Sequence, residues 1–105
     1  MADPPRHTLL VVDDEPDVLE SLRHLFHRRY HVLTAQNGAE ALDVVRDHDI
    51  HILLSDQRMP GMTGDELLGR VREQYPDTVR LLFTGYADIQ AVINAINQGG
   101  IFRYI

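Results

Sequence analysis

Four acidic side chains and one threonine stand just after short apolar runs, where the strands of a parallel sheet end. They are Asp13, Asp14, Glu15, Asp56 and Thr84. Because the carboxyl ends of adjacent parallel strands meet at one edge of the sheet, several of these carboxylates would share one pocket. A close pair of like charges costs on the order of 4 kcal/mol at about 4 Å with an effective dielectric constant of about 20. Such a cluster requires raised pKa values or a bound cation, and hard carboxylate oxygens suit Mg²⁺.

Each of these residues also has a purely structural interpretation. An acidic residue after a strand is often a turn residue or a helix cap, and threonine often ends a strand or caps a helix. Two strand ends that converge are explained less easily in this way than one alone. Opposite an aspartate and a metal ion, the Thr84 hydroxyl would lie beside an incoming anion, and Gly85 would let the backbone approach closely.

The elements that position these residues alternate between strand and helix along the chain. Apolar runs predict five strands, at 8–12, 32–35, 50–55, 79–83 and 101–105. Helical patterns lie between them, beginning at Pro16 and spanning 39–47, 65–74 and 88–98. In the first helix the predicted inward face comprises Val18, Leu19, Leu22, Leu25 and Phe26. Unbroken alternation predicts an α/β domain with a mostly parallel sheet between two layers of helices.

Composition excludes several classes of protein. The 105 residues carry a net charge of −6, which fits one domain and argues against binding a nucleic-acid backbone by charge alone. There is no apolar run near the roughly 20 residues that a membrane span needs, and no signal peptide at the start. Without cysteine there is no disulfide framework, thiolate metal site or cysteine nucleophile, so a cytoplasmic location is expected.

Three stretches resemble the receiver domains of response regulators in two-component signalling. They read LLVVDDEP at 9–16, LLSDQRMPGMTG at 53–64 and LLFTGY at 81–86. The resemblance runs through the whole chain in the right order, so residues 1–105 are interpreted as one receiver domain. It implies a doubly wound, flavodoxin-like sheet of five parallel strands in the order 2-1-3-4-5. Within the family, the chain looks like receivers of hydrogenase-uptake regulators and of proteins with HD-GYP phosphodiesterase or cyclase outputs.

The resemblance implies a phosphorylation switch that depends on Mg²⁺. Asp56 would be the phosphoacceptor, taking its phosphoryl group from the phosphohistidine of a sensor histidine kinase. Asp14 and Asp56 would be direct Mg²⁺ ligands, with the backbone carbonyl of Arg58 as a third ligand and Asp13 acting through water. Glu15 would lie beside the site without contacting the metal. Positioning and charge neutralisation would supply most of the catalysis.

Other residues are assigned to switching and to the lifetime of the phosphorylated state. Thr84 resembles the switch hydroxyl, and Tyr104 aligns with the switch aromatic, although plain strand packing would also explain an aromatic residue there. Arg58 and Tyr86 occupy the two variable positions that tune loss of the phosphoryl group, and a bulky pair would shield it from water. Two residues depart from the apolar types common at their positions, Ser55 and Gln57.

The family's conserved lysine does not occur in this chain. All ten basic residues are arginine, and the lysine would fall just beyond Ile105, near position 107. Arg103 is a poor substitute for this lysine, because strand alternation places its side chain on the other face of the strand from Tyr104. In addition, a guanidinium is not a compact ammonium charge. We therefore expect a C-terminally incomplete chain, cut within the fifth strand and lacking its last helix; the alternative is a natural fragment that switches poorly.

The expected partners are a sensor histidine kinase and a C-terminal output domain or downstream protein. A homodimer is possible, and neither membrane binding nor direct nucleic-acid contact is expected of this segment. The expected activity is self-catalysed phosphoryl transfer and autodephosphorylation, not enzymatic turnover. One alternative is a phosphorylation-independent docking module. Another is an aspartyl-phosphate phosphatase, although those enzymes carry an Asp-x-Asp pattern after the first strand, where this chain has adjacent acids.

Six histidines raise the question of a second metal site. His24, His27 and His31 are spaced by three and four residues, but His31 lies beyond the predicted helix and no acidic residue completes a ligand set. They are predicted to be surface residues. The sequence identifies neither the kinase nor the pathway.

Overall fold

A computed structural model describes residues 6–83 and the backbone of residues 103–104. The helices and strands in chain order are β1 (Thr8–Val12), α1 (Pro16–Phe26), β2 (His31–Ala35), α2 (Gly38–Asp47), β3 (Ile52–Asp56), α3 (Gly64–Gln74), β4 (Val79–Phe83) and β5 (Arg103–Tyr104). Each predicted element that falls in the described part of the chain is confirmed, with small shifts at its ends. The predicted fourth helix, at 88–98, lies outside the described residues.

The five strands form one parallel sheet in the order β2-β1-β3-β4-β5. The predicted doubly wound topology is therefore confirmed. At the carboxyl edge, Val12 pairs with Ala35 on one side and Ser55 on the other, while Asp56 pairs with Phe83. This register brings the residues that follow β1 next to the end of β3.

Side chains alternate across β1 and build a core on each face of the sheet. Leu10 and Val12 pack with Leu53 beneath α2 and α3, which contribute buried apolar residues. Leu9 and Val11 point to the opposite face, which α1 covers. Both central strands are thus buried on both sides, which explains their continuous apolar runs.

The predicted inward face of α1 is wrong at one residue, Leu25. Leu19 is buried and Leu22 and Phe26 pack against the same core cluster, but Leu25 is 68% exposed. At about 100° per residue, Leu25 lies roughly 120° around the helix from Leu19, at the margin of the apolar stripe.

Among the described helices, none has the length and apolar character needed to cross a membrane.

The amino edge of the sheet is held by hydrogen bonds from buried polar side chains. Thr78 Oγ1 donates to the Ile50 carbonyl at 3.0 Å. The Arg80 guanidinium is buried and donates to the Thr78 carbonyl at 2.9 Å. Burial lowers the pKa of Arg80, and the charge of Arg72 contributes in the same direction. This edge is therefore tied together by neutral carbonyl acceptors.

Candidate metal centre

Three aspartates from two strand ends converge at the carboxyl edge of the sheet. Asp13 and Asp14 follow β1, and Asp56 is the last residue of the neighbouring strand β3. Carboxylate oxygens of all three lie within 4.8 Å of one another. The structure thus places together the three aspartates that the sequence singled out. Glu15 is exposed at the start of α1 and does not belong to this group.

The backbone around the first two aspartates is constrained on both sides. The Asp13 amide donates to the Ala35 carbonyl of β2 at 3.2 Å. The Glu15 amide donates to Asp13 Oδ1 at 2.8 Å, which closes a tight turn two residues later. Asp13 is 3% exposed, whereas Asp14 is open to solvent. The turn therefore presents one buried and one accessible carboxylate.

The pKa values show that these like charges oppose one another. Burial, then the charge of Asp13, raises the pKa of Asp56 to about 6, against the nearby Gln57 and Arg58 amides, which favour its ionised form. Burial also raises the pKa of Asp13, and the charges of Asp14 and Glu15 add to this, although the Glu15 amide opposes it. A divalent cation would compensate this repulsion, and three carboxylate oxygens at this spacing fit the hard oxygen set that Mg²⁺ prefers.

The loop between β3 and α3 packs directly against the last residue of β3. Gly61 has a φ of +80°, a left-handed conformation that glycine adopts without strain. A Cβ at Gly64 would lie 2.2 Å from the Asp56 carbonyl oxygen and 2.7 Å from Leu82 Cδ1. Glycine at position 64 is thus required by close approach. Arg58 is an exposed residue of this loop.

One polar residue of this loop had no role assigned from the sequence. Gln57 is 5% exposed, and its side-chain amide hydrogen-bonds both the backbone and the carboxylate of Asp65. The sequence feature that could have pointed to this role is the polar side chain of Gln57, directly after the candidate phosphoacceptor, at a position where an apolar residue is common. Its partner lies eight residues away in α3, and only the folded loop brings the two together.

Several predicted site residues are not described structurally. Thr84, Gly85 and Tyr86 lie outside the described residues, and only the backbone of Tyr104 is described, paired with Leu82. Their switching and tuning roles stay predictions. Phe83, the last residue of β4, pairs with Asp56.

The three spaced histidines, His24, His27 and His31, contribute nothing to the candidate centre. Among the described residues, the only group of three or more ligand side chains close enough to hold a metal ion is the aspartate cluster. His24 on α1 and His27 directly after it are exposed, with stacked rings whose centroids lie 5.5 Å apart, and His31 is exposed in β2. Their predicted surface location is confirmed.

Comparison with known proteins agrees with this geometry. The profile of the response regulator receiver domain matches residues 9–105. The chain is 41% identical over 98 residues to the hydrogenase transcriptional regulatory protein HoxA of Cupriavidus necator, covering 93% of this chain and 20% of HoxA. The chain therefore spans about a fifth of the length of this curated relative.

Solved structures give the same result. The signal receiver domain of an HD domain-containing protein from Pseudomonas fluorescens is 33% identical, with a TM-score of 0.90, covering 96% of this chain and 82% of that one. The response regulator TrrA of Thermotoga maritima, solved in complex with Mg²⁺ and BeF, is 31% identical, with a TM-score of 0.82, covering 94% and 84%. HoxA and the HD-domain receiver confirm the predicted subgroup resemblance. The chain belongs to the response regulator receiver domain family.

Proposed function

We propose that this chain is a phosphorylation-dependent signalling switch in which Asp56 is the phosphoacceptor and Mg²⁺ is the cofactor. The observation that carries the proposal is the convergence of three aspartates, with oxygens within 4.8 Å of one another, at the end of β1 and β3. Repulsion among these carboxylates destabilises the folded state, so it has no benefit in a site whose role is only structural. It is explained if the cluster exists to hold a cation and a phosphoryl group.

Asp56 would act as the nucleophile. An oxygen of its carboxylate attacks the phosphorus of a phosphohistidine, an O–P bond forms as the N–P bond breaks, and the imidazole leaves with the electron pair. The pKa of about 6 leaves most of the carboxyl group ionised at neutral pH, as a nucleophile requires. Asp14, Asp56 and the Arg58 carbonyl would hold Mg²⁺ directly, and Asp13 would hold it through water. Bound Mg²⁺ would neutralise charge on the transferring phosphoryl group.

The output of the switch would be a population shift between two packings of the carboxyl edge. Thr84 would bind the phosphoryl oxygen, and Tyr104 would move with it. Arg58 and Tyr86 would set how quickly water removes the group. The donor would be a sensor histidine kinase, and the signal would pass to an output domain or downstream protein, with a homodimer possible, in the cytoplasm. The chain would catalyse only its own phosphorylation and dephosphorylation.

The test is phosphorylation of the full-length protein that contains this chain. Incubation with Mg²⁺ and acetyl phosphate should add one phosphoryl group, detected by intact-mass spectrometry. The adduct should disappear with a chelator and in Asp56→Asn, while Asp49→Asn, an exposed aspartate at the opposite edge, should be modified normally. Absence of the adduct in the wild type, or its persistence in Asp56→Asn, would reject the proposal. Turnover of a small phosphate ester would instead favour a phosphatase, and partner binding without phosphorylation a docking module.

A further inference from the structure

The side chain of Gln57, directly after the proposed acceptor, fastens the β3–α3 loop to the start of α3. Gln57 Oε1 accepts from the Asp65 amide at 2.9 Å, and Gln57 Nε2 donates to Asp65 Oδ1 at 2.7 Å. Thr63 Oγ1 donates to the same Asp65 oxygen at 2.6 Å. We call these three hydrogen bonds the Gln57–Asp65 clasp. It is a closed ring in which both polar ends of the glutamine amide are satisfied.

The clasp takes over the work of a helix cap. Thr63 occupies the cap position of α3 but makes no side-chain cap hydrogen bond. The first two amides of the helix are instead satisfied by Gln57, whose backbone carbonyl accepts from Gly64 at 3.0 Å and whose side-chain oxygen accepts from Asp65. The start of α3 is therefore defined by a residue of the loop, seven and eight positions earlier in the chain.

The same residue is tied to the candidate metal centre through its backbone. The Gln57 amide donates to the Phe83 carbonyl at 3.2 Å, at the end of β4. Gln57 also stands between Asp56, which supplies a carboxylate, and Arg58, which would supply a carbonyl. An apolar side chain at position 57 would fill the same space but leave the partly buried Asp65 amide without this acceptor. The glutamine thus gives a specific connection between the centre and α3.

We propose that Gln57 is a positioning residue, whose clasp with Asp65 holds the loop so that the Asp56 carboxylate and the Arg58 carbonyl bind one Mg²⁺. This inference rests on the proposed function. It predicts that the loop and the first turn of α3 move as one unit. Cutting the clasp lets the loop adopt other conformations, so the carbonyl ligand is no longer preorganised and metal affinity falls.

The experiment compares Mg²⁺ affinity among variants of the full-length protein by isothermal titration calorimetry. Gln57→Leu removes both side-chain hydrogen bonds while keeping similar volume, and Asp65→Ala removes the carboxylate from the other side. Each should weaken Mg²⁺ binding by about tenfold, the usual cost of removing a group that orients a metal ligand. The double variant should be little weaker than either single variant, because both break one unit.

Two further variants separate positioning from a general effect of substitution. Asp65→Asn keeps an oxygen that can accept from Gln57 and Thr63, so its Mg²⁺ affinity should stay close to that of the wild type. Gln74→Leu is a matched glutamine substitution at the exposed far end of α3 and should change nothing. In the metal-free protein, the Gly64 and Asp65 amides should exchange hydrogen faster in Gln57→Leu than in Gln74→Leu.

The outcomes are distinct for the two proposals. Faster amide exchange in Gln57→Leu with unchanged Mg²⁺ affinity would show a purely structural clasp and overturn the inference, while leaving the phosphoacceptor intact. Additive losses in the double variant would also overturn it. A wild-type protein that neither binds Mg²⁺ nor accepts a phosphoryl group would reject the proposed function, and the inference with it.

Discussion

The two edges of the sheet use polar residues in opposite ways. At the amino edge, Thr78 donates to the Ile50 carbonyl, and His51 Nδ1 accepts from the Thr8 amide at 2.9 Å. These groups are partnered within the protein. At the carboxyl edge, three carboxylates share one small volume, and the pKa of Asp56 rises to about 6 because of burial and a neighbouring charge. The polar groups at the amino edge are paired within the chain, whereas the carboxylates at the carboxyl edge repel one another.

The contrast separates what stabilises the fold from what performs its chemistry. Hydrogen bonds at the amino edge remove buried unpaired groups, and no described buried side-chain nitrogen or oxygen lacks a partner. The aspartates at the carboxyl edge oppose folding in the absence of a cation. Removing a polar group at the amino edge should therefore lower the free energy of unfolding. Removing a carboxylate at the carboxyl edge should raise it when no cation is present. Positions at the carboxyl edge that are held by close packing are the exception.

The largest effect is expected where packing and chemistry meet, at Gly64. In Gly64→Ala the new methyl group would clash with the Asp56 carbonyl, which is backbone and cannot rotate away. The domain should lose about 3 kcal/mol of unfolding free energy, and phosphoryl loading should fall with it. Urea unfolding and the intact-mass assay measure the two effects.

Gly69→Ala is the matched control, because a Cβ at that position of α3 meets nothing within 4 Å. It should be neutral or stabilising by about 0.5–1 kcal/mol, since alanine favours helix. Equal losses in the two variants would show that close approach at Gly64 is not the cause.

The second effect belongs to the amino edge. Thr78→Val keeps the shape of the buried side chain but removes the donor to the Ile50 carbonyl. We expect a loss of about 2 kcal/mol of unfolding free energy, because a buried acceptor is left without this partner. Mg²⁺ affinity and phosphoryl loading of the folded protein should not change. A selective loss of Mg²⁺ binding would mean that the two edges are coupled.

The strands and the elements that position the aspartates could be predicted from the sequence. The side-chain contacts of Gln57 and Arg80 could not, because periodicity does not encode them. Five apolar runs predict parallel strands, and the strand order that the family resemblance implies makes the ends of β1 and β3 neighbours, which brings Asp13 and Asp56 together. The clasp was not predictable, since it needs the folded loop to carry Gln57 back to Asp65. Nor was the burial of Arg80, because a charged residue in a strand usually indicates an exposed side, whereas here the Pro76 and Thr78 carbonyls accept hydrogen bonds from its guanidinium.

The third effect is the response to Mg²⁺, and it should appear at the carboxyl edge alone. At ten times its dissociation constant, Mg²⁺ should raise the unfolding free energy of the wild type by about 1.4 kcal/mol. Thr78→Val should gain the same amount, because its metal ligands are intact. Asp14→Asn should gain less, since one carboxylate oxygen set is lost. Equal gains in all three proteins would place the ion elsewhere, and NaCl at matched ionic strength controls for screening.

The smallest effect gives the sign of the electrostatic contribution itself. Without Mg²⁺, Asp56→Asn should be more stable than the wild type at pH 7.5 by about 1 kcal/mol, because it removes a charge that burial and Asp13 oppose. Between the ordinary value of 3.8 and about 6, folded Asp56 holds a proton that the unfolded chain has lost. The unfolding free energy of the wild type therefore falls as pH rises through this window, while the asparagine variant lacks that contribution.

The advantage of Asp56→Asn should thus be complete above about pH 6 and vanish as pH falls towards 4. Urea unfolding at a series of pH values in the presence of a chelator measures it, and Asp49→Asn, exposed at the amino edge, is the control. An advantage that did not change with pH would have to come from packing or hydrogen bonding. Saturating Mg²⁺ should reverse the order of the two proteins, because the cation compensates the repulsion only where Asp56 is present to bind it.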